Sequence, residues 1–409
     1  MDAEPPARYV SDLFAGLHRW PEREALVTKD RRVTFEELLA GSYRLARALQ
    51  ARGHSNREGI VCLMGNSPEL VSLRLAAHLL GSRFTGLHAG TPADVAACRE
   101  VLAAARPAVF VVDRLGSEVL GEPVTGMFRL GTGGPGYDLG ALADAESPTP
   151  LRPAAREEDI ALVVPSRGTG GVRRGAVHRF AAMNVTWRRP EEGELGDFAA
   201  GVTTLAVSPV TGNAGEVALM LLRAGCTVRL LDGFDPARVL ALVEEERITS
   251  VYLPSPWLER LVTHPEAGHA ELSSLRYLPY GNDPVDPDSL LRAMEVCGPV
   301  LSQNYVTSEV RAVTLLRQED HLAAADGRPH LLRSVGRPLP DVRIRVCGPD
   351  GSPRPTGRTG EVWLRAPHMM SGYWNDVAAT RRVLRRGWLR SGDTGRLDEE
   401  GYLYLAGRA

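Results

Sequence analysis

The sequence predicts an α/β fold, with two mostly parallel, helix-covered sheets and a small β-barrel subdomain towards the end. Three observations lead there. Buried strands and capped helices alternate from Thr34 to Val164, and a second alternating series runs from residue 203 to residue 305. From about Ser334 the pattern changes to short strands broken by turns. A strand–helix–strand order needs a crossover, so its strands run parallel and its helices cover the sheet. Short strands separated by turn residues fit a small barrel instead. At 409 residues the chain is long enough for two or three such units. We set their boundaries at 1–180, 181–330 and 331–409.

Taken in order, Thr34-Phe35-Glu36-Glu37 is a capping box that opens a helix running towards Gly53. The Thr hydroxyl and the Glu three residues on satisfy N–H groups that the first helical turn leaves free. Gly59 to Met64 reads as a buried strand. Ser67-Pro68-Glu69 starts the next helix, with Ser as cap and Pro in the first turn. A helix over about 92–105 leads into a strand over 108–112. Residues 131–140 and 146–158 are rich in Gly, Pro and charge, and read as loops. A strand over 160–164 then runs straight into a Gly-rich segment. The second series comprises strand 203–208, helix 213–224, strand 227–231, helix 235–246, strands 249–253 and 276–280, helix 286–296 and strand 299–305. Strands at 342–346, 361–364 and 402–405 build the last unit.

Composition excludes several classes. The chain is 44% hydrophobic and 24% charged, ordinary for a globular protein. A formal net charge of -2 supplies no electrostatic case for nucleic acid or a membrane surface. Cys62, Cys98, Cys226, Cys297 and Cys347 are odd in number and scattered, which argues against a disulfide framework or a zinc site. The opening residues do not resemble a signal peptide, and no apolar run reaches membrane-spanning length, so a cytoplasmic protein is expected. Lys29 is the only lysine, leaving the positive charge almost entirely to Arg.

Three segments carry chemistry. The first is Pro165-Ser166-Arg167-Gly168-Thr169-Gly170-Gly171-Val172-Arg173-Arg174-Gly175. A polyphosphate needs inward-pointing N–H groups and close approach of the main chain, which Gly permits, and the Ser166 and Thr169 hydroxyls add donors. By itself such a segment reads equally well as a basic surface loop. The second is Gln303-Asn304-Tyr305-Val306-Thr307-Ser308-Glu309, which in isolation is a strand end with an exposed Glu. The third combines Ser334 to Pro338, Gly360-Glu361-Val362-Trp363, Gly372-Tyr373-Trp374 and Gly387 to Thr394.

Together the three resemble the adenylate-forming superfamily of acyl-CoA synthetases, nonribosomal-peptide adenylation domains and luciferases. The resemblance implies the fold of that family's large N-terminal domain, with a phosphate loop closing the first subdomain and a hinge at the end of the third. In the first segment Ser166, Gly168, Thr169, Gly171 and Gly175 match the family signature. Arg167, Gly170, Arg173 and Arg174 depart from it, Arg174 standing where the family has Lys. Arg keeps the charge and grips phosphate oxygens bidentately. By resemblance Tyr305 packs on adenine beside Asn304, Ser308 bonds the α-phosphate, and Glu309 is the Mg²⁺ ligand, a role suited to a carboxylate shared with phosphate oxygens and waters. Val306 replaces a Gly. Asp393 accepts from both ribose hydroxyls, a task for an acceptor-only group, and Arg408 contacts ribose or phosphate.

The same resemblance places Tyr280-Gly281-Asn282-Asp283-Pro284 as a backbone wall between adenine and the acyl group. Asp283 is also read as the cap of the helix that starts at Pro287, and His178 as structural. Pro209 to Gly215 falls on the segment that lines the acid pocket, with Gly212 where amino-acid-activating relatives carry an Asp. A buried ammonium without a carboxylate is costly, so an aryl or aliphatic acid is expected rather than an α-amino acid, with Asn213 available to a ring substituent.

The reaction implied is ATP-dependent activation of a carboxylic acid as an acyl-adenylate, then transfer to CoA. The implied partners are ATP, Mg²⁺, a small carboxylic acid, and CoA or the phosphopantetheine of a carrier protein, with no nucleic acid or membrane. Two alternatives stay open: a domain that loads a carrier protein, and a shortened pseudoenzyme that only binds. In the family a mobile C-terminal domain with a reacting-group lysine follows this point. The chain stops before it, so slow adenylation and little thioester formation are expected.

Overall fold

Parallel pairing dominates the sheet in which the first alternating series ends up. The computed structural model describes residues 5–54, 57–88, 98–100, 102, 107–120, 127–131, 136–167, 173–186 and 201–408. The chain forms two compact units. One comprises Met1–Val202, Pro209–Asp232 and Met370–Asn375, and the other Thr203–Ser208, Gly233–Met369 and Asp376–Ala409.

In the first unit an eight-stranded sheet runs Gly372–Tyr373, Arg173–Arg179, Ile160–Arg167, Arg83–Leu87, Gly59–Leu63, Val109–Val112, Met127–Arg129, Tyr137–Asp138. From Ile160–Arg167 onward every pair is parallel. The two strands at the opposite edge are antiparallel. Gly59–Leu63 is buried along its whole length, as a strand covered on both faces must be. Thr34 caps the helix Phe35–Ala51 in a complete capping box with Glu37. Ser67 caps Pro68–Leu80 through the Leu70 amide. A smaller sheet pairs Glu24–Val27 in parallel with Thr227–Leu230 and antiparallel with Arg32–Thr34.

The second unit holds a sheet ordered Leu253–Pro254, Leu278–Gly281, Leu301–Thr307, Arg311–Leu316, Arg337–Pro338, its first three strands parallel and the rest antiparallel. Thr203–Ala206 pairs in parallel with Ser250–Val251. The late β subdomain is an antiparallel sheet of Arg343–Cys347, Gly360–Arg365, Trp388–Leu397 and Leu384–Arg385, with Leu403–Arg408 added along Trp388–Leu397.

Some expectations need correction. Asp283 does not cap the helix Pro287–Cys297: Asp286 does, accepting from the Asp288 amide at 3.2 Å, because the cap must immediately precede the first helical residue. The stretch 131–140, expected as loop, contains the strand Tyr137–Asp138 and opens the helix Leu139–Asp144. Asp138 caps that helix through Ala141 N–H at 2.9 Å. The helix Arg8–Leu17 carried no sequence signal of a cap, and its Ala7 makes none. Most of the helix expected over 92–105 lies outside the described residues.

His78 lies on the helix Pro68–Leu80 and is fully buried between Tyr9 and Phe180, each ring 5.5 Å away and edge-on. Neither imidazole nitrogen has a hydrogen-bond partner among the described residues. Burial, with the Arg74 charge second, holds its pKa well below the ordinary 6.5. The folded ring stays neutral while the unfolded ring takes up a proton, so its stabilising share is complete above pH 6.5 and is lost as pH falls below it. The urea midpoint should therefore drop between pH 7.5 and pH 5.5. His78→Phe, which fills the slot without titrating, should flatten that drop. His54 and His321, lowered chiefly by burial too, should keep part of it. Equal pH dependence in both proteins would refute the assignment.

Candidate active site

Among the candidate residues of the second unit, Asp393 is held by two others, Arg408 and Tyr305. Its strand, Trp388–Leu397, pairs with Leu403–Arg408 in a register that sets Asp393 directly opposite Arg408. Arg408 Nε lies 3.2 Å from Asp393 Oδ1. The other carboxylate oxygen accepts from the Tyr305 hydroxyl, a residue 88 positions earlier in the chain. The approach of Asp393 is shaped locally: Gly392 is left-handed at φ 75°, Asp393 N–H donates to Ser391 Oγ at 3.0 Å, and that hydroxyl donates to the Val362 carbonyl at 2.7 Å. The Asp393 side chain keeps 14% of its surface exposed, and each oxygen retains acceptor capacity beyond the donor that meets it. It is thus a fixed, mostly buried acceptor with an open edge. Burial, and next the Asp393 charge, push the Tyr305 phenol far above the ordinary phenol range, so Tyr305 is a permanent donor.

Beside Tyr305, Gly281 is in register with Asn304 on the neighbouring parallel strand. A Cβ on Gly281 would stand 2.5 Å from the Asn304 carbonyl oxygen, so only glycine allows this approach. Asn282 follows in the left-handed region at φ 76° and is exposed, as is Asp283. Ser255 Oγ reaches the carbonyls of Gly281 at 3.0 Å and Asp283 at 2.6 Å, which fixes the wall. Burial first, and Asp283 second, raise the Tyr252 phenol beside it to about 12.

Ser308 and Glu309 occupy the turn between Leu301–Thr307 and Arg311–Leu316. Val310 N–H donates to Thr307 Oγ1 at 3.0 Å, and Arg311 takes the left-handed conformation at φ 73°, which reverses the chain tightly. The ladder shifts register between Tyr305 and Val306, the position where the family pattern has Gly. Among the described residues no three His, Cys, Asp or Glu side chains gather as a metal cage. Glu309 offers a carboxylate, a donor that suits Mg²⁺ completed by phosphate and water.

In the first unit Ser166 sits directly opposite Arg174 across the antiparallel pair Ile160–Arg167 and Arg173–Arg179. Gly168, Thr169, Gly170 and Gly171 lie outside the described residues. The Ser166 hydroxyl is buried and has no partner among the described residues, an orphaned donor that fits a phosphate oxygen. Arg174 lies with its guanidinium 5.8 Å from the Tyr373 ring centre. Gly175 is tightly enclosed: a Cβ would stand 2.4 Å from Val163 Cγ1. His178 is fully buried.

Gly212 is the N-cap residue of the helix Asn213–Arg223 and is half-buried; the Asn213 side chain lies outside the described residues. Beneath this segment is an ion pair that motif reading passed over, Arg74 with Glu216, both almost fully buried. The available signal was a charged residue inside each of two apolar helices, Leu-Arg-Leu at 73–75 and the run after Gly215.

A family model described as AMP-binding enzyme matches residues 13–374. The indoleacetate–CoA ligase of Aromatoleum aromaticum is 31% identical, the match covering 97% of this chain and 77% of that protein. The feruloyl-CoA synthase of an Amycolatopsis species is 30% identical over 96% of this chain and 78% of its own length. Among solved structures, the amide bond synthetase McbA from Marinactinospora thermotolerans superposes with a TM-score of 0.87 at 34% identity, covering 98% of this chain and 79% of that one.

The Tyr305–Asp393 bond has a direct spectroscopic consequence. In Asp393→Asn the neighbouring negative charge is gone, so the Tyr305 phenol should ionise at lower pH than in the unmodified chain, while burial still holds it above 10. NMR of ζ-carbon-labelled tyrosine reads this, and an unshifted Tyr305 titration would contradict the geometry.

Proposed function

The chain belongs to the AMP-binding enzyme family, and on that premise we propose that Asp393, flanked by Tyr305 and Arg408, receives the ribose of ATP. The enzyme is an AMP-forming acid–thiol ligase of the acyl-CoA synthetase kind. A carboxylate oxygen attacks the α-phosphorus of ATP and pyrophosphate leaves; the CoA sulfur then attacks the acyl carbon and AMP leaves. The first step brings two anions together, so catalysis consists of positioning and charge neutralisation.

The single observation that carries the site assignment is the acceptor group made by Asp393. Its carboxylate is pinned from both sides yet open at one edge, which suits a vicinal diol. The Tyr305 ring is assigned to adenine, with Asn304, Gly281 and Asn282 around it. Ser308 and Arg174 are assigned to the phosphates, together with Ser166 and the loop 168–171. Glu309 would hold Mg²⁺, which when bound neutralises phosphate charge. The segment containing Gly212 and Asn213 is assigned to the acid, and by resemblance so is Asp283. No carboxylate stands at Gly212 to meet an ammonium, which supports an aryl or aliphatic acid; indoleacetate and ferulate, named in the relatives, are the natural first probes. Five buried cysteines that form no disulfide support a reducing, cytoplasmic setting.

A second reading concerns the acceptor. The likeness to an amide bond synthetase favours an amine as the group that takes the acyl chain. A phosphopantetheine thiol on a carrier protein is the other acceptor consistent with the same first step. Supplying CoA, a carrier protein and a simple amine in competition, then identifying the acylated product by mass spectrometry, separates the three.

Two measurements test the site. Asp393→Ala should weaken Mg-ATP binding in calorimetry by roughly ten- to a hundredfold, since hydrogen bonds to a charged group are worth about 1.5–3 kcal/mol each. Unchanged affinity would remove Asp393 from the site. Glu309→Gln should raise the Mg²⁺ concentration needed for half-maximal pyrophosphate exchange while leaving ATP binding in EDTA unaltered; an unchanged Mg²⁺ requirement would move the metal elsewhere.

A further inference from the structure

Arg74 has no role in the reaction as so far described, yet it is almost fully buried at 3% exposure and engaged on several sides at once. Its guanidinium pairs with Glu216 and donates through Nη1 towards two carbonyls, Val210 at 3.2 Å and Gly212 at 3.4 Å. These carbonyls belong to the segment 209–215. Two further contacts hold the same segment. Asn66 Oδ1 accepts from Val210 N–H at 2.9 Å, and the Asn66 amide donates to the Leu231 carbonyl at 2.9 Å. From the strand Arg83–Leu87, Gly86 approaches so closely that a Cβ there would stand 2.2 Å from the Thr211 carbonyl oxygen. Gly215 leaves the space the guanidinium occupies: a Cβ at that position would lie 2.2 Å from Arg74 Nη1 and 2.0 Å from the Val210 carbonyl oxygen.

Gly212 and Gly215 have no side chains to hold this segment's shape, and glycine carries the largest backbone freedom. Something outside must fix it. Arg is the residue for this work, because its planar fork directs several N–H groups at once, whereas Lys offers a compact point charge. Glu216, one residue beyond the segment in the helix that Gly212 opens, compensates the charge, so the floor carries a fixed set of donors and no uncompensated cation.

We propose that Arg74, held by Glu216, is a positioning residue that sets the shape of the acid-binding wall and so determines which neutral-tailed carboxylic acids are accepted. The proposal rests on the assignment of residues 209–215 to the acid. The guanidinium does not touch the acid; it fixes the Val210 and Gly212 carbonyls, and with them the wall that the acid's tail meets. An acid with a second carboxylate at its far end gains nothing there, because the Arg74 charge is already spent on Glu216.

The test uses the full chain with indole-3-acetate, ferulate and decanoate as probes, each titrated in calorimetry beside Mg-ATP as a control ligand. Arg74→Lys keeps the charge next to Glu216 but loses the fork. It should weaken binding of the preferred acid about tenfold, the scale of losing one or two charge-assisted hydrogen bonds, and narrow the spread among the three acids, with Mg-ATP affinity intact. The double variant Arg74→Met with Glu216→Leu removes both charges at similar volume, a change that buried pairs tolerate in stability. It should melt near the unmodified chain and show the same acid-selective loss. A purely architectural pair would leave acid affinity and ranking untouched in the folded variants, and that result overturns the proposal. If the double variant does not fold, Arg74→Lys decides by itself. Failure of the acid assignment shows elsewhere: the unmodified chain would bind Mg-ATP but none of the acids, and the positioning role would fall with it.

Discussion

One carboxylate, held by donors from separate strands, organises the second unit. Asp393 meets Arg408 because a β-ladder places them opposite each other, and it meets Tyr305 because the strand Leu301–Thr307 delivers the phenol to its other oxygen. Removing the carboxylate would leave a buried phenol without its acceptor, and removing the donors would leave a mostly buried charge poorly compensated. Either change is costly, since an unpaired group in a low-dielectric setting loses its solvation without return. The pair is therefore rigid before any ligand arrives. Preorganisation of that kind spares binding the cost of ordering side chains.

The walls around the functional segments are made of backbone more than of side chains, and glycine is the reason. Gly281 lets its strand lie against the Asn304 carbonyl, and Gly86 admits the Thr211 carbonyl where any side chain would collide. Close main-chain approach presents carbonyl and amide groups at fixed positions. It also removes the side chains that would otherwise brace those loops, so bracing comes from further away. Ser255 reaches the carbonyls of Gly281 and Asp283, and Arg74 reaches those of Val210 and Gly212. In both cases a buried polar residue inside an otherwise apolar neighbourhood performs the task.

Much of the architecture was legible in the sequence because its signals are local. Thr34 with Glu37 and Ser67 with Pro68 cap helices by contacts within four residues, so they work wherever the chain folds. The continuous apolar strand at Gly59 announces a sheet covered on both faces. The same locality explains the misreadings. Asp283 and Asp286 are equally good caps by residue type, and Pro287 as the first helical residue selects its immediate neighbour, Asp286. Residues 131–140 look like loop by composition, yet Asp138 can still start a short helix whose stability comes from burying Leu139 and Ala143.

Resemblance of the motifs to the family is what put Tyr305, Asp393, Arg408, Ser308 and Glu309 forward as residues of one chemistry. Family membership followed from the same order of residues. What the chain order did not contain is who touches whom across long separations. That the Tyr305 hydroxyl binds Asp393, that Arg74 donates to the Gly212 carbonyl with Glu216 as its counter-charge, and that His78, between two aromatic rings, has no hydrogen-bond partner among the described residues were all decided by tertiary packing. The physical reason is that hydrogen bonds and ion pairs act over a few ångströms, and only folding brings such distant residues that close.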